Sequence, residues 1–221
     1  MHHATPGSSP STALPPPPDA DDTRTRERLL RAAVHVFDRK GYAAASVREI
    51  VERAGVTKPV LYYHFGNKEG LLVAVLNEGA RRFAAAIGHA AERPGTTRER
   101  LMALGEALFA LFQENLPAVR LAHSLFLGPT DGVPRFDFTT FDKALQGALR
   151  RIVEDGLAAG EVHPARPDDV ALALSGVIGS CAARQLHPGF DPVRVDDLRR
   201  ILDMVLDGIL NTRHPLEYSR A

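Results

Sequence analysis

The sequence predicts an all-α protein, and three observations lead there. From Asp22 onward, apolar residues recur at three- and four-residue intervals in one segment after another. Nowhere does a sustained apolar–polar alternation, the mark of a half-buried strand, appear. Capping and breaking residues such as Gly41, Ser46, Gly55 and Asn67 punctuate the periodic segments. Together they give about nine helices and no sheet: an N-terminal three-helix unit followed by a larger helical domain.

Residues 1–22 read as a tail, because Ser8 to Pro18 is rich in serine and proline and too poor in apolar groups to offset its ordering entropy. Leu29, Leu30, Ala33, Val36 and Phe37 mark the first helix, which Gly41 ends. Ser46 with Glu49 three residues on forms a capping box ahead of Val47, Ile50, Val51 and Ala54. Gly55 stops that short helix. Thr57 is placed to cap the next, and Pro59 fits its first turn, where a missing N–H has no helical partner. Gly66 and Asn67 break the chain again, and Asn67 can cap a long helix from Lys68 to about Ala91.

In the second half, Leu101, Leu104, Leu108, Leu111 and Phe112 form a stripe. Leu121, Leu125 and Phe126 mark a shorter helix. A Gly/Pro loop covers residues 128–134. Phe141, Leu145, Leu149 and Ile152 make another stripe, ended near Gly156 to Gly160. A loop from His163 to Pro167 precedes two further helices, at 168–186 and 195–211.

The chain has 221 residues, 27 Lys and Arg, and 27 Asp and Glu, so its formal net charge is zero. A uniformly basic coat for nucleic acid or membrane is thereby excluded, and any basic patch must be local. Residues 23–70 carry ten Lys and Arg against five Asp and Glu, an excess of five positive charges on the three-helix unit. The single cysteine, Cys181, excludes an internal disulfide and a Cys-rich zinc site and suits a reducing compartment. The longest strongly apolar stretch, Val170 to Ala183, has 14 residues, short of the about 20 that span a bilayer. No basic-then-apolar signal segment opens the chain, and the expectation is a soluble cytoplasmic protein without membrane contact.

The most specific signal is geometric. A short helix over 46–54 meets the turn Ala54-Gly55-Val56, and a second short helix follows from Thr57. This is a helix–turn–helix. In such a unit the first helix crosses the DNA backbone, and the second enters the major groove with its N-terminal residues against base edges. The run Ala54-Gly55-Val56-Thr57-Lys58-Pro59-Val60-Leu61-Tyr62-Tyr63-His64-Phe65, with Asn67-Lys68-Glu69 and Leu71-Leu72 after it, resembles the DNA-binding domain of TetR-family transcriptional regulators. The resemblance covers residues 23–72, and the remaining helices are compatible with that family's ligand-binding and dimerisation domain over 71–221. It divides the chain into the tail 1–22, a DNA-binding domain over 23–70 and that helical domain.

The resemblance implies a DNA-facing set of Ser46, Arg48, Thr57, Lys58, Pro59, Val60, Tyr62, Tyr63, His64 and Lys68. Arg48 would reach a guanine edge, or else pair with Glu52 at i+4. Val60 and Pro59 suit contact with a thymine methyl, and Lys58 a base acceptor or a phosphate. By resemblance Tyr63 and His64 bind phosphate oxygens and Tyr62 lies at the groove, although one of the tyrosines would also serve as core. Lys68 would anchor the backbone at a helix N-terminus. Leu61 and Phe65, four apart, are expected to face inward.

In the second half, Met102, Phe109, Phe112, Phe126 and Phe141 are candidates to line an apolar cavity, with His123 and Gln146 as polar handles; for each apolar residue, ordinary packing is the alternative. Gly176, Gly179, Ser180 and Ala183, with a wide apolar stripe over 195–211, point to a homodimer through the last two helices. No Gly-rich phosphate loop, H-E-x-x-H or nucleophile elbow occurs, and the nine histidines form no helical pair, so neither catalytic residues nor a metal or cofactor is expected. The expected function is a sequence-specific regulator of transcription, a repressor released from a double-stranded DNA operator by a small-molecule effector. The alternatives are an effector-independent architectural DNA-binding protein and an all-helical enzyme.

Overall fold

The structure, a computed structural model, describes residues 20–128, 134–187 and 189–210. The Pro/Ser-rich segment and most of the Gly/Pro loop over 128–134 lie outside these residues. Among the described residues there are nine helices: α1 (Ala20–Ala44), α2 (Val47–Ala54), α3 (Lys58–Phe65), α4 (Lys68–Ala91), α5 (Thr97–Glu114), α6 (Leu116–Leu127), α7 (Thr139–Ala158), α8 (Pro167–Arg184) and α9 (Val195–Ile209). Their only strand-like pairing is an isolated antiparallel bridge between Val162 and Leu210. No helix among them is long and apolar enough to cross a membrane.

The local signals act where the sequence puts them. Gly41 breaks the regular helix of α1 with φ 75° and ψ 165°. The Ser46 side chain accepts the Glu49 N–H and Glu49 reaches back to the Ser46 N–H, closing the capping box. Gly55 ends α2 in the left-handed region, φ 66° and ψ 39°. The Asn67 side chain accepts the Gly70 N–H at 2.7 Å and starts α4. A second capping box, Thr96 with Glu99, starts α5. Thr57 departs from expectation: it holds the N-cap position of α3, but its side chain makes no capping hydrogen bond.

The helices bury two apolar cores. The N-terminal one joins Leu29, Ala33 and Phe37 of α1, Ile50 and Val51 of α2, Leu61 of α3 and Leu71, Leu72, Val75 and Leu76 of α4. Leu121 of α6 also belongs to it. The second joins Phe83 and Ile87 of α4 with α5, α7, α8 and α9. The long helix α4 is thus a rod with one end in each core, and α6 reaches back from the second half onto the first. Full burial of each leucine or isoleucine contributes about 1.5–3 kcal/mol.

Candidate nucleic-acid interface

The eight residues of α3 include a single buried one, Leu61, which anchors the helix to the N-terminal core. The rest of the helix therefore presents most of its surface outward. Lys58 and Pro59 are exposed, Tyr62 is 46% exposed and Tyr63 80%. An aromatic ring left so open on a short helix is not core packing, and both tyrosines are surface groups. Val60 is half-buried, as is Phe65, over whose ring the Arg26 guanidinium lies at 5.6 Å. The Thr57 hydroxyl, unused by the cap, sits exposed where α3 begins.

On α2, Arg48 is exposed and its Nε donates to Glu52 Oε1 at 2.7 Å. Hydrogen bonding to Glu52 raises the guanidinium's already high pKa. An exposed pair one helical turn apart is weak, so a phosphate or a guanine edge competes with it readily. The Ser46 hydroxyl is engaged in the cap, donating to Glu49 Oε2 at 3.0 Å and accepting the Glu49 N–H. Lys40 bonds Glu49 in turn, and that bond is the largest of the influences holding the Glu49 carboxyl below its ordinary value. Glu49 thus starts α2 through Ser46 and ties it to α1 through Lys40.

Two residues of the expected set are not aimed outward. The His64 side chain is only 6% exposed, with Nε2 lying 3.6 Å from Asp22 Oδ1 at the start of α1. Successive helical residues are about 100° apart, so the turn that throws Tyr63 into solvent swings His64 toward α1. The Lys68 ammonium donates to the carbonyls of Tyr42 at 2.9 Å, Ala43 at 3.4 Å and Ala45 at 3.0 Å. It also lies 4.4 Å from the centre of the Tyr42 ring. All three of its donors are thus occupied by carbonyls left open where α1 ends. In this structure the Lys68 ammonium caps the end of α1.

Gly70 was not singled out by sequence and proves necessary. A Cβ there would meet the Phe65 carbonyl oxygen at 2.1 Å, so only glycine lets α4 start this close to the end of α3. Thr57, Lys58, Pro59, Tyr62 and Tyr63 thus form the exposed ridge of α3, and Arg48 is exposed on α2.

The residues expected to line an effector cavity lie on α5, α6 and α7. Phe109 is 1% exposed and packed within the second core. Phe112 stacks on Phe83 at 6.3 Å between ring centres, and Phe141 packs on the same ring at 5.4 Å. Phe126 is 64% exposed and meets Phe138 at 5.7 Å, and Phe138 lies 6.2 Å from Phe141. These rings form a continuous chain from α6 to α5. His123 meets the His187 ring, and the Gln146 amide donates to Ser175 Oγ at 2.8 Å between α7 and α8. Met102 lines a surface cleft with Arg98, Glu106 and Arg199.

Sequence reading also missed the bond between the two halves. Arg120 of α6, an ordinary surface residue by its sequence, makes a forked pair with Asp38 of α1 through Nε at 2.9 Å and Nη2 at 2.7 Å. The bond to Asp38 raises the Arg120 pKa.

The sequence profile described as "Bacterial regulatory proteins, tetR family" matches residues 29–75. The chain is 35% identical over 175 residues to the HTH-type transcriptional activator FasR of Mycolicibacterium smegmatis, covering 69% of this chain and 79% of that one. It is 30% identical over 215 residues to the HTH-type transcriptional repressor KstR2 of Rhodococcus jostii, covering 87% and 97%. Among solved structures, a gamma-butyrolactone receptor described as ArpA-like aligns with a TM-score of 0.68 at 26% identity, over 87% of this chain and 92% of that one. PfmR of Thermus thermophilus aligns with a TM-score of 0.66 at 25% identity, over 82% and 95%. With its exposed recognition ridge and its likeness to such regulators along most of their length, the chain belongs to the TetR family of bacterial transcriptional regulators.

Proposed function

We propose that this regulator is a homodimeric repressor that binds a two-fold symmetric operator through Arg48, Thr57, Lys58, Pro59, Val60, Tyr62 and Tyr63, and that a small-molecule effector in the C-terminal half releases it. The observation that carries the reading is the exposure of the α3 ridge. Tyr62 and Tyr63 stand open beside Lys58 and Pro59 on a helix whose single buried anchor is Leu61. Lys58, Pro59 and Val60 lead into the major groove and select sequence, while Thr57 and Tyr63 hold phosphates and set register. Acting on chromosomal DNA, the protein works in the cytoplasm.

The dimer forms through α8 and α9. Leu172, Gly176, Gly179 and Ser180 are exposed along one face of α8, and Met204 of α9 is 69% exposed. Small residues beside exposed bulky ones let two helix pairs approach closely and cover that apolar surface.

Release needs the effector to favour a conformation that DNA does not. The route is mechanical. α4 has one end in each core, and α6 is held to α1 by Leu121 and by the Arg120–Asp38 fork. A ligand entering beside the phenylalanine chain moves α6 or α4, and with them the spacing of the two recognition helices. That spacing must match successive major grooves about 34 Å apart. FasR and KstR2 bear names of opposite sign, activator and repressor. The release mechanism is the same in either case, because the sign depends on operator position.

Selection of bound DNA from a random pool tests the reading. Recovery of a symmetric site with two half-sites one helical turn apart is expected, with affinity lost in Lys58→Ala and Tyr63→Ala. Recovery of unrelated sequences would replace it with architectural, sequence-independent binding.

A further inference from the structure

A cleft of about 390 Å³ opens where α1, α2 and the start of α6 meet. Its polar lining is wholly basic: Arg28, Arg31 and His35 from α1, and Arg53 from α2. The three α1 residues stand at i, i+3 and i+7 and so share one helical face. Buried Ala32 and Ala54 keep the floor low, and Pro117 of α6 closes one side. No aspartate or glutamate lines it.

In a chain of zero net charge, several arginines elsewhere on the surface are neutralised by close carboxylates. Arg48, Arg81, Arg82, Arg98, Arg100, Arg120, Arg199 and Arg200 all have a carboxylate within 3.0 Å. Around the cleft the pairing is thin. The side chains of Arg53 and His35 have no hydrogen bond or ion pair among the described residues. Arg31 meets Glu27 only at 3.6 Å, and Arg28 donates one N–H to the Gly55 carbonyl at 3.3 Å. Most of their side-chain donors have no protein partner.

We propose that this cleft binds a small phosphate-bearing anion, held by Arg28, Arg31, His35 and Arg53, which ties α6 to the DNA-binding unit. Guanidinium groups present forked donors that match phosphate oxygens, and a ring of them satisfies a multiply charged group better than single carboxylates. The volume lies in the range of small-molecule sites, roughly 300–1,000 Å³. The floor of Ala32 and Ala54 and the wall from α6 suit a compact molecule. With Arg28 already bonded to the turn that leads into α3, and Pro117 at the start of α6, the bound anion links the reading helix to the helix that the effector half moves.

Inorganic pyrophosphate is the probe. Calorimetric titration of the full-length protein at fixed ionic strength is expected to show saturable binding, about tenfold weaker in Arg31→Gln/Arg53→Gln. The same two-charge loss at exposed arginines elsewhere, Arg151→Gln/Arg166→Gln, is expected to leave it unchanged. Hydrogen exchange of residues 116–121 is expected to slow when pyrophosphate binds. Absence of saturable binding, or equal weakening in the control pair, overturns the site. So does a cleft variant that binds pyrophosphate normally but loses DNA affinity with a flatter salt dependence, which would make these arginines contacts to the DNA backbone. None of these binding readouts depends on the effector reading, so failure of either leaves the other separately testable.

Discussion

The N-terminal core sets two short helices, α2 and α3, between the long α1 and α4, whereas the C-terminal core is built from longer helices throughout. α2 and α3 have eight residues each, whereas α5, α7 and α8 have 18, 20 and 18. Helices as short as α2 and α3 are unstable alone, because one or two turns do not offset the cost of nucleation. They hold only through caps and a few buried anchors: the Ser46 box and Gly55 at the ends of α2, Gly66 at the end of α3, Ile50 and Val51 beneath α2, and Leu61 beneath α3. The long helices depend less on such local help, although α5 also carries a capping box, since each buries a stripe of five or six residues. The consequence is an unequal distribution of risk. In the reading unit single residues decide the geometry; in the C-terminal half the packing is shared among many.

The largest effect that tests this contrast is Leu61→Ala. Removing the single buried anchor of α3 is expected to cost about 2–5 kcal/mol and to abolish specific DNA binding. Leu104→Ala in α5 removes an equally buried leucine and is expected to cost as much, while folded dimer retains operator affinity. Chemical denaturation together with operator titration reads both; equal loss of operator binding in the two variants would erase the contrast.

Lys68→Met comes next. Three carbonyls at the end of α1 lose their donor, for an expected loss of about 1–3 kcal/mol. The salt dependence of DNA binding is expected to stay as steep as in the parent, whereas Lys58→Ala flattens it by about one ion. A flatter slope in Lys68→Met would return that residue to the DNA interface.

The Arg120–Asp38 fork gives a smaller effect. Asp38 is 12% exposed at the side chain and Arg120 41%, so the pair is worth about 1 kcal/mol after solvent screening. A double-mutant cycle with Arg120→Ala and Asp38→Ala is expected to show that coupling in stability. It is also expected to show a change in effector-driven release without loss of intrinsic operator affinity. Additive single effects would break the proposed link between the halves.

The smallest effect lies on α4 between the two cores. The bond from Arg81, with a second from Arg82, lowers the Glu78 carboxyl to about 2 despite partial burial. A carboxyl depressed in the folded state stabilises it above its unfolded value of about 4.3, and that contribution fades as pH falls toward 2. Glu78→Gln is therefore expected to lower stability at pH 7 by less than about 1 kcal/mol, with parent and variant converging between about pH 5 and 2. A difference that persists at pH 2 would assign the effect to packing.

The reading unit was legible because its signals are local. A capping box needs residues three apart, and a helix–turn–helix needs a glycine and two short helices in succession, all visible in one stretch of chain. Side-chain direction in α3 and at the start of α4 was less legible. His64 and Lys68 carry polar tips, and nothing in their neighbours along the chain says that Asp22 and the carbonyls of residues 42–45 lie within reach. The C-terminal candidates were harder still, because an apolar residue on a helix serves a core and a cavity equally well. Phe109 is core, and Phe126 is surface.

By itself the sequence determined the helical class, the order of the nine helices found among the described residues, and the turn that presents α3, since each follows from contacts a few residues apart. Only the tertiary structure decided which polar groups stay outward, that Arg120 binds Asp38 across 82 positions, and that Arg28, Arg31, His35 and Arg53 gather around one cleft. Those outcomes depend on how helices distant in sequence pack together. A periodic pattern says that a face is buried without saying against what.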